Sequence, residues 1–458
     1  MYQIDFNNPQ HVHFTGIGGI SMSGLAEVLL SRGFTVSGSD SSDSALISRL
    51  RERGAAVTIG QKAENITPDI DVVVYTAAIH PDNPEYAAAL SSGLPMMTRA
   101  ELLGEIMSNY GTSFAIAGTH GKTTTTSMIS HVLLHADCDP TISVGGILPA
   151  IGGNIRVGAS DTFVTEACEY TNSFLSLIPS VGIILNVDAD HLDFFKDLDD
   201  IARSFHKFAA QIPAEGTLII NADTKKFDEV TDGISCRILT YSSDSEADYT
   251  ASNIVFDALG CAAFDCFEAG EFLARIALSV PGRHNVSNAL AAIAAARTLN
   301  LPADTVAEGL RNFAGVDRRF EYKGKMGDVT VIDDYAHHPT EIQATLSAAG
   351  SYPHKELWVI FQPHTYTRTR ALLPEFAEAL SAADHIILAK IYEAREKDIY
   401  GVSSQNLADE IEKYGKDVRY LETFAEIEDY VRANCRPGDL LITMGAGDVT
   451  NIGPALVN

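Results

Sequence analysis

Short apolar runs alternate with segments of helical period through most of the chain. Residues 11–14 read as a strand, followed by a glycine cluster and a periodic apolar helix over 22–30. A second strand ends at Val36, a buried strand spans 71–76, and 99–107 reads as a helix. A new unit begins near Tyr110, with a strand over 113–117, a glycine-rich turn and a helix over 123–135. Strands follow at 162–165, 181–187 and 217–221, and short alternating segments over 247–280 predict an antiparallel excursion. An Ala-rich helix covers 285–299. After Gly315, strands at 329–332, 357–361, 385–388 and 440–444 enclose helices at 340–349, 373–382 and 425–433. Strand alternating with helix predicts parallel sheets joined by right-handed crossovers, hence an α/β protein of three units.

The 458 residues suffice for three cores, and a composition of 46% hydrophobic and 20% charged residues excludes intrinsic disorder. No run of about 18 apolar residues predicts a transmembrane helix. The polar first ten residues do not read as a signal peptide. The six cysteines form no CxxC pair, so reduced thiols in a cytoplasmic protein are expected. Sixty acidic against 33 basic residues give a net charge of −27, which disfavours nucleic acid as a partner. Such a chain must bind phosphates with local devices: backbone N–H groups, a placed cation, metal ions.

One such device is Gly118-Thr119-His120-Gly121-Lys122-Thr123-Thr124, between a buried strand and a helix. Glycines let N–H groups converge on phosphate oxygens, and the helix N-terminus adds its dipole. Lys122 would offset triphosphate charge, and the Thr123 hydroxyl would ligate Mg²⁺. The loop is shorter than the usual pattern, which requires glycine where Ile116 stands. Two later strands end in carboxylates, at Glu166 and in Asp188-Ala189-Asp190-His191-Leu192-Asp193. Carboxyl ends of parallel strands face the ligand crevice, so Glu166 and His191 are candidate metal ligands. Asp188, Asp190 and Asp193 are weaker candidates, and the first two read equally as helix caps.

A second glycine loop, Gly16-Ile17-Gly18-Gly19-Ile20-Ser21, follows the first strand, and Asp40 lies where a ribose-binding acid is expected. A dehydrogenase fits this loop but leaves the phosphate loop unexplained. A binding module without chemistry fits the phosphate loop but not Glu166 and His191. Polar clusters at 315–321, 333–341 and 362–370 suggest a ligand surface in the third unit.

Residues 118–124, Asp190-His191-Leu192-Asp193, His284-Asn285-Val286-Ser287-Asn288-Ala289 and Asp334-Tyr335-Ala336-His337 resemble the Mur ligases, ATP-dependent amide ligases of peptidoglycan precursor synthesis. The resemblance runs through essentially the whole chain. It implies a Rossmann-like domain over residues 1–108 for a UDP-linked substrate, a central P-loop ATPase domain over 109–314 with a mostly parallel sheet, and a Rossmann-like C-terminal domain over 315–458. The loop at Gly16, the segment Ser37-Gly38-Ser39-Asp40 and residues 334–341 are most similar to the member that joins L-alanine to UDP-N-acetylmuramate. The member that recycles a tripeptide onto the same sugar is the alternative. ATP and Mg²⁺ (or Mn²⁺) are the implied cofactors, and a monomer or weak homo-oligomer is expected.

By resemblance, Gly118 to Thr124 serve the triphosphate, with Thr123, Glu166 and His191 on metal. His284 and Asn288 serve the adenine side, and Arg319, Asp334 and His337 reach ATP from the third domain. Gly18, Gly19, Asp40 and His80 serve the UDP-sugar. Tyr335 and Arg368 serve alanine, where a guanidinium suits a free carboxylate. Two departures from the family pattern stand out. Lys207 is out of register for a carbamylated lysine, and Thr365 stands where a second alanine-side arginine is expected.

Overall fold

The computed structural model describes every residue except Met1, Ala77, Asp193, Arg395 and Asn458. The chain forms two compact units. The first comprises Met1–Ala189, Asp197–Tyr241 and Ala291–Leu301, and the second Asp190–Lys196, Ser242–Leu290 and Pro302–Asn458.

The first unit holds two sheets. Strands β1 (His11–Thr15), β2 (Thr35–Asp40), β3 (Ala56–Ile59), β4 (Val72–Tyr75) and β5 (Met96–Thr98) form a parallel sheet in the order β3-β2-β1-β4-β5. The order reverses between β1 and β4, which opens a crevice beyond their carboxyl ends. The first glycine loop leaves β1 at that edge and leads into the helix Ile20–Ser31. β2 runs four residues past Val36, because pairing with both β1 and β3 carries Ser37-Gly38-Ser39-Asp40 into the sheet.

The second sheet of this unit uses β6 (Thr112–Ala117), β7 (Thr141–Leu148), β8 (Gly153–Arg156), β9 (Thr162–Glu166), β10 (Val181–Ile184), β11 (Thr217–Asn221) and β12 (Arg237–Ser242). Six strands are parallel in the order β12-β11-β10-β6-β9-β7, and β8 is antiparallel to β7. Both faces of β6 and β10 are covered, so Phe114, Ile116, Ile183 and Ile184 are fully buried. The helix Leu198–Ala210 buries Phe205 and Phe208 against Phe174, each aromatic contributing about 1.5–3 kcal/mol by transfer. The predicted strand over 181–187 stops at Ile184, because Asn186 is drawn off to hold the phosphate loop.

The helix Arg99–Met107 is closed at its start by a capping box, with Thr98 and Glu101 bonding each other's backbone. It lies against the turn Tyr170–Ser176 so closely that a β-carbon on Gly104 would collide with the Ser176 carbonyl oxygen.

In the second unit, β13 (Tyr249–Phe256), β14 (Cys261–Glu268) and β15 (Glu271–Pro281) form the expected antiparallel meander. A six-stranded sheet combines β16 (Glu321–Met326), β17 (Val329–Asp334), β18 (Leu357–Phe361), β19 (His385–Leu388), β20 (Asp417–Tyr420) and β21 (Leu440–Met444). Its order is β16-β17-β21-β18-β19-β20, parallel except for β16. Apolar clusters cover both of its faces, one around Phe361 and Phe376, the other around Ile360 and Ile452. No helix among the described residues is long and apolar enough to cross a membrane.

Candidate active site

β6 delivers the phosphate loop. Gly118 at φ 145° and Gly121 at φ 84° take conformations that favour glycine, which lets the chain fold back before the helix Lys122–His135. The Asn186 amide clamps the loop from β10: its Oδ1 accepts from His120 N at 2.8 Å and its Nδ2 donates to His120 O at 3.0 Å. Thr119 Oγ1 accepts from Asp188 N at 2.9 Å. The Lys122 ammonium donates to Gly118 O, to Thr119 O at 3.1 Å and to Glu169 Oε2 at 2.9 Å. Burial opposes its charge, but the Glu169 carboxylate outweighs burial and raises its pKa. Thr123 and Thr124 sit in the first turn of the helix, partly exposed.

Glu166 ends β9 beside β6, paired in register with Ile116. Its Oε1 accepts from Gly145 N at 2.6 Å, which fixes the carboxylate at the sheet edge. Carboxylate and hydroxyl oxygens are the hard donors that Mg²⁺ takes, so Glu166 and Thr123 fit that ion. Among the described residues no group of three or more His, Cys, Asp or Glu side chains is arranged to hold a metal. Asp193 lies outside the described residues.

At the first glycine loop, Gly16 N and Ile17 N both donate to Ser39 O at 2.9 Å, and Gly18 N donates to Asp40 Oδ2 at 2.8 Å. Gly19 precedes a helix whose start has neither a side-chain cap nor an acidic residue, leaving its N–H groups for an anion. His80 is exposed, in the turn before the helix Pro84–Ser91.

The second unit gathers the rest along the carboxyl edge of its parallel strands. Asp334 ends β17 and accepts from Phe320 N at 2.8 Å and Ala336 N at 2.7 Å. Burial still pushes its carboxyl up to about 6, with Arg319 opposing. Arg318 and Arg319 lie over the Tyr335 ring at 4.8 and 5.2 Å. Arg319 faces Glu341 at 3.9 Å, and Glu341 accepts from His337 N at 3.0 Å. Beyond β18, Arg368 donates to His364 Nδ1 at 3.2 Å and to Asp190 Oδ1 at 3.3 Å. Burial raises the Asp190 carboxyl, but Arg368 and then His191 hold it well below the usual range. Burial pushes His337 and His364 down to about 4. Desolvation with Arg319 does the same to His284, which opens the helix His284–Thr298. Asn288 Nδ2 donates to Asn285 Oδ1 at 3.0 Å. His191 takes a left-handed conformation at φ 52°, with its N–H on Asp190 Oδ1 at 2.7 Å.

The structure thus joins Lys122 to the loop of Gly118 and Thr119 in the first unit. In the second it joins Arg319 and His337 through Glu341. Gly18 and Asp40 form a third cluster. Sequence reasoning singled out neither Glu169, Asn186 nor Arg99 as functional, and reached Glu341 and His364 only as members of the polar clusters 333–341 and 362–370. Arg99 Nη1 donates to Ser21 Oγ at 3.3 Å, and among the described residues it has no acidic partner. Its position, first in a helix beyond the carboxyl end of β5, was the available signal.

Three family profiles match this chain: "Mur ligase family, catalytic domain" over residues 11–111, "Mur ligase middle domain" over 116–296 and "Mur ligase, glutamate ligase domain" over 318–447. The UDP-N-acetylmuramate–L-alanine ligase of Lachnospira eligens is 58% identical over 458 residues, covering 100% of both chains. The protein of that name from Agathobacter rectalis is 57% identical over 457 residues, again 100% of both. Among solved structures, the UDP-N-acetylmuramate-alanine ligase of Thermotoga maritima gives a TM-score of 0.80 at 30% identity, covering 98% of each chain. A murein peptide ligase from Psychrobacter arcticus gives 0.72 at 27% identity, also covering 98% of each. The glycine loop on β1, the phosphate loop on β6 and the polar edge of the last sheet each fall within one of these three matched regions, and the chain belongs to the Mur ligase family.

Proposed function

We propose that this chain is an ATP-dependent ligase that joins L-alanine to the lactyl carboxylate of UDP-N-acetylmuramate, releasing ADP and phosphate. The observation that carries the reading is the full-length identity of 57–58% to two proteins named for that activity. The division at residues 1–108, 109–314 and 315–458 is the working domain scheme, and the cytoplasm, where nucleotide precursors are made, is the expected location.

The substrate carboxylate attacks the γ-phosphate of ATP, the bond to ADP breaks, and an acyl phosphate forms. The amine of L-alanine attacks the acyl carbon, a tetrahedral adduct collapses, and phosphate leaves. The first step brings an anion to an anion, so its barrier is electrostatic. The Lys122 ammonium and the loop N–H groups of 118–124 offset charge on the transferred phosphoryl group. Thr123, Glu166 and His191 would hold Mg²⁺, which supplies Lewis-acid charge to the phosphate oxygens. His284 and Asn288 serve the adenine side, with Arg319, Asp334 and His337 on the nucleotide. Gly18, Gly19, Asp40 and His80 take the UDP-sugar. Tyr335 and Arg368 take alanine, whose carboxylate matches a guanidinium fork.

The test is phosphate release from ATP and Mg²⁺ with UDP-N-acetylmuramate, comparing L-alanine with other amino acids and with the stem tripeptide. Release that requires both the sugar and L-alanine supports the reading. Release requiring the tripeptide makes the chain a recycling ligase, and no sugar-dependent release overturns the donor assignment.

A further inference from the structure

Behind the first glycine loop lies a buried carboxylate that no step above uses. His11, His13 and Thr15 alternate onto one face of β1, and the parallel register sets Ser37 beside His13 and Ser39 beside Thr15. This face carries a polar stripe where a sheet normally carries its core. The helix Pro84–Ser91, capped by the Asn83 side chain, brings Glu85 onto it in its first turn.

Glu85 is 0% exposed. Its Oε1 accepts from His13 Nε2 at 2.7 Å, Ser39 Oγ at 2.8 Å and Thr15 Oγ1 at 2.9 Å, and its Oε2 accepts from Asn65 Nδ2 at 2.9 Å. Burial raises its pKa, yet the donors, His13 foremost, overcome burial and hold it below the usual range.

Three of the four tethers lead to the loop. Thr15 immediately precedes Gly16. Ser39 presents the carbonyl that receives Gly16 N and Ile17 N, both at 2.9 Å. Asn65 Nδ2 also donates to Gly60 O at 3.0 Å, and Gly60 N donates to Asp40 O at 2.7 Å. Asp40 in turn receives Gly18 N at 2.8 Å. One carboxylate therefore fixes the carboxyl ends of both strands and the residue that grips the loop.

Apolar residues of similar volume at all five positions would hold helix to sheet at least as well, since burying a charge carries a desolvation penalty. What a four-donor carboxylate adds is fixed position. We propose that Glu85 is a positioning residue for the nucleotide-sugar site, keeping the uncapped helix start after Gly19 and the Asp40 carboxylate aligned on the substrate's diphosphate and ribose. The proposal rests on the ligase reading.

The test is steady-state kinetics with UDP-N-acetylmuramate, ATP and L-alanine for wild type, Glu85→Ala, Glu85→Gln and the double variant Thr15→Val with Ser39→Ala. Loss of pre-alignment removes binding made equally in ground and transition states, so KM for the sugar nucleotide should rise about tenfold in Glu85→Ala. The kcat and the KM values for ATP and alanine should stay within about twofold. Glu85→Gln keeps an acceptor oxygen for three of the donors and should restore most of the sugar KM. The double variant cuts two tethers without emptying the pocket, and should raise the same KM should Glu85→Ala fail to fold. An unchanged sugar KM in folded variants, or an equal change in every parameter, overturns the proposal while leaving the ligase reading intact. A wild type that turns over no UDP-N-acetylmuramate overturns the reading and the proposal with it.

Discussion

Lys122 Nζ lies 2.9 Å from Glu169 Oε2, three residues beyond the strand end that carries Glu166. The pair fixes the ammonium at the mouth of the phosphate loop and keeps it charged although burial works the other way. In the proposed reaction the Lys122 charge offsets that of the transferred phosphoryl group, so Lys122→Ala should lower turnover by about 10²–10³. Glu169→Gln deletes what raises the lysine's pKa, so the alkaline limb of the pH–rate profile should move to lower pH. A near-wild-type rate in the first variant, or an unmoved limb in the second, would contradict these roles.

Arg99 is the first residue of its helix, a position where the macrodipole disfavours a cation. Burial pushes its pKa down, with a smaller opposing effect of Cys168. Its Ser21 contact is polar but uncharged, so the protein supplies no compensating anion within ion-pair range among the described residues. Arg99→Met keeps the aliphatic stem and should leave the melting temperature equal or raise it by about 1–4 °C. The same variant should weaken UDP-N-acetylmuramate binding severalfold by calorimetry. A large drop in melting temperature with unchanged binding would make Arg99 structural.

His337 and His364 are both depressed to about 4, chiefly by burial. For groups whose folded pKa is lowered, the stabilisation is present above the unfolded value of about 6.5 and is lost as pH falls toward about 4. The slope is about 1.4 kcal/mol per pH unit for each proton taken up on unfolding. Urea midpoints should therefore fall between about pH 7 and pH 5, and fall less steeply in His364→Gln. Equal midpoints at the two pH values would show that these imidazoles do not resist protonation.

Trp358, the sole tryptophan, stacks on His385 with ring centroids 3.9 Å apart and planes at 19°. Its indole N–H donates to Asp439 Oδ2 at 3.1 Å. Burial lowers the His385 pKa, but hydrogen bonds to Asp417 and Glu356 outweigh it and raise the value. The stabilisation from this raised group is present below the unfolded pKa and is lost as pH rises through the folded one. A protonated imidazole against the indole quenches emission, so fluorescence should increase across a midpoint above the ordinary histidine value. Asp417→Asn should lower that midpoint, and emission flat over about pH 6–8 would contradict the stacking.

The elements legible in the sequence are those whose signal is local. The apolar run of β6 with its glycines and Lys122, and the doubly buried strands β18 and β21, declare themselves because parallel strands covered on both faces need continuous apolar side chains. β2 beyond Val36 is different: Ser37-Gly38-Ser39-Asp40 has no apolar signal and is held in the sheet by partners on both sides. Glu85 follows a proline at a helix start, the pattern of a solvated first turn, and only the register of β1 on β2 turns it into a buried hub. Glu169 lies only three residues past Glu166, but its attachment to Lys122 spans 47 residues of chain. Asn186 falls within the apolar run 181–187, and its side chain, serving a loop 66 residues earlier, is what ends that strand.

The approach of Gly104 to the Ser176 carbonyl makes the helix Arg99–Met107 a strut of fixed length. Backbone bears on backbone there, with no side chain to compress or change rotamer. A displacement of this helix therefore bears directly on the turn behind Glu169, since close-packed contacts transmit strain rather than absorb it. The helix and the turn that follows Glu169 are gauged against each other like parts of one casting, and any give between them has to be built into other joints of the chain.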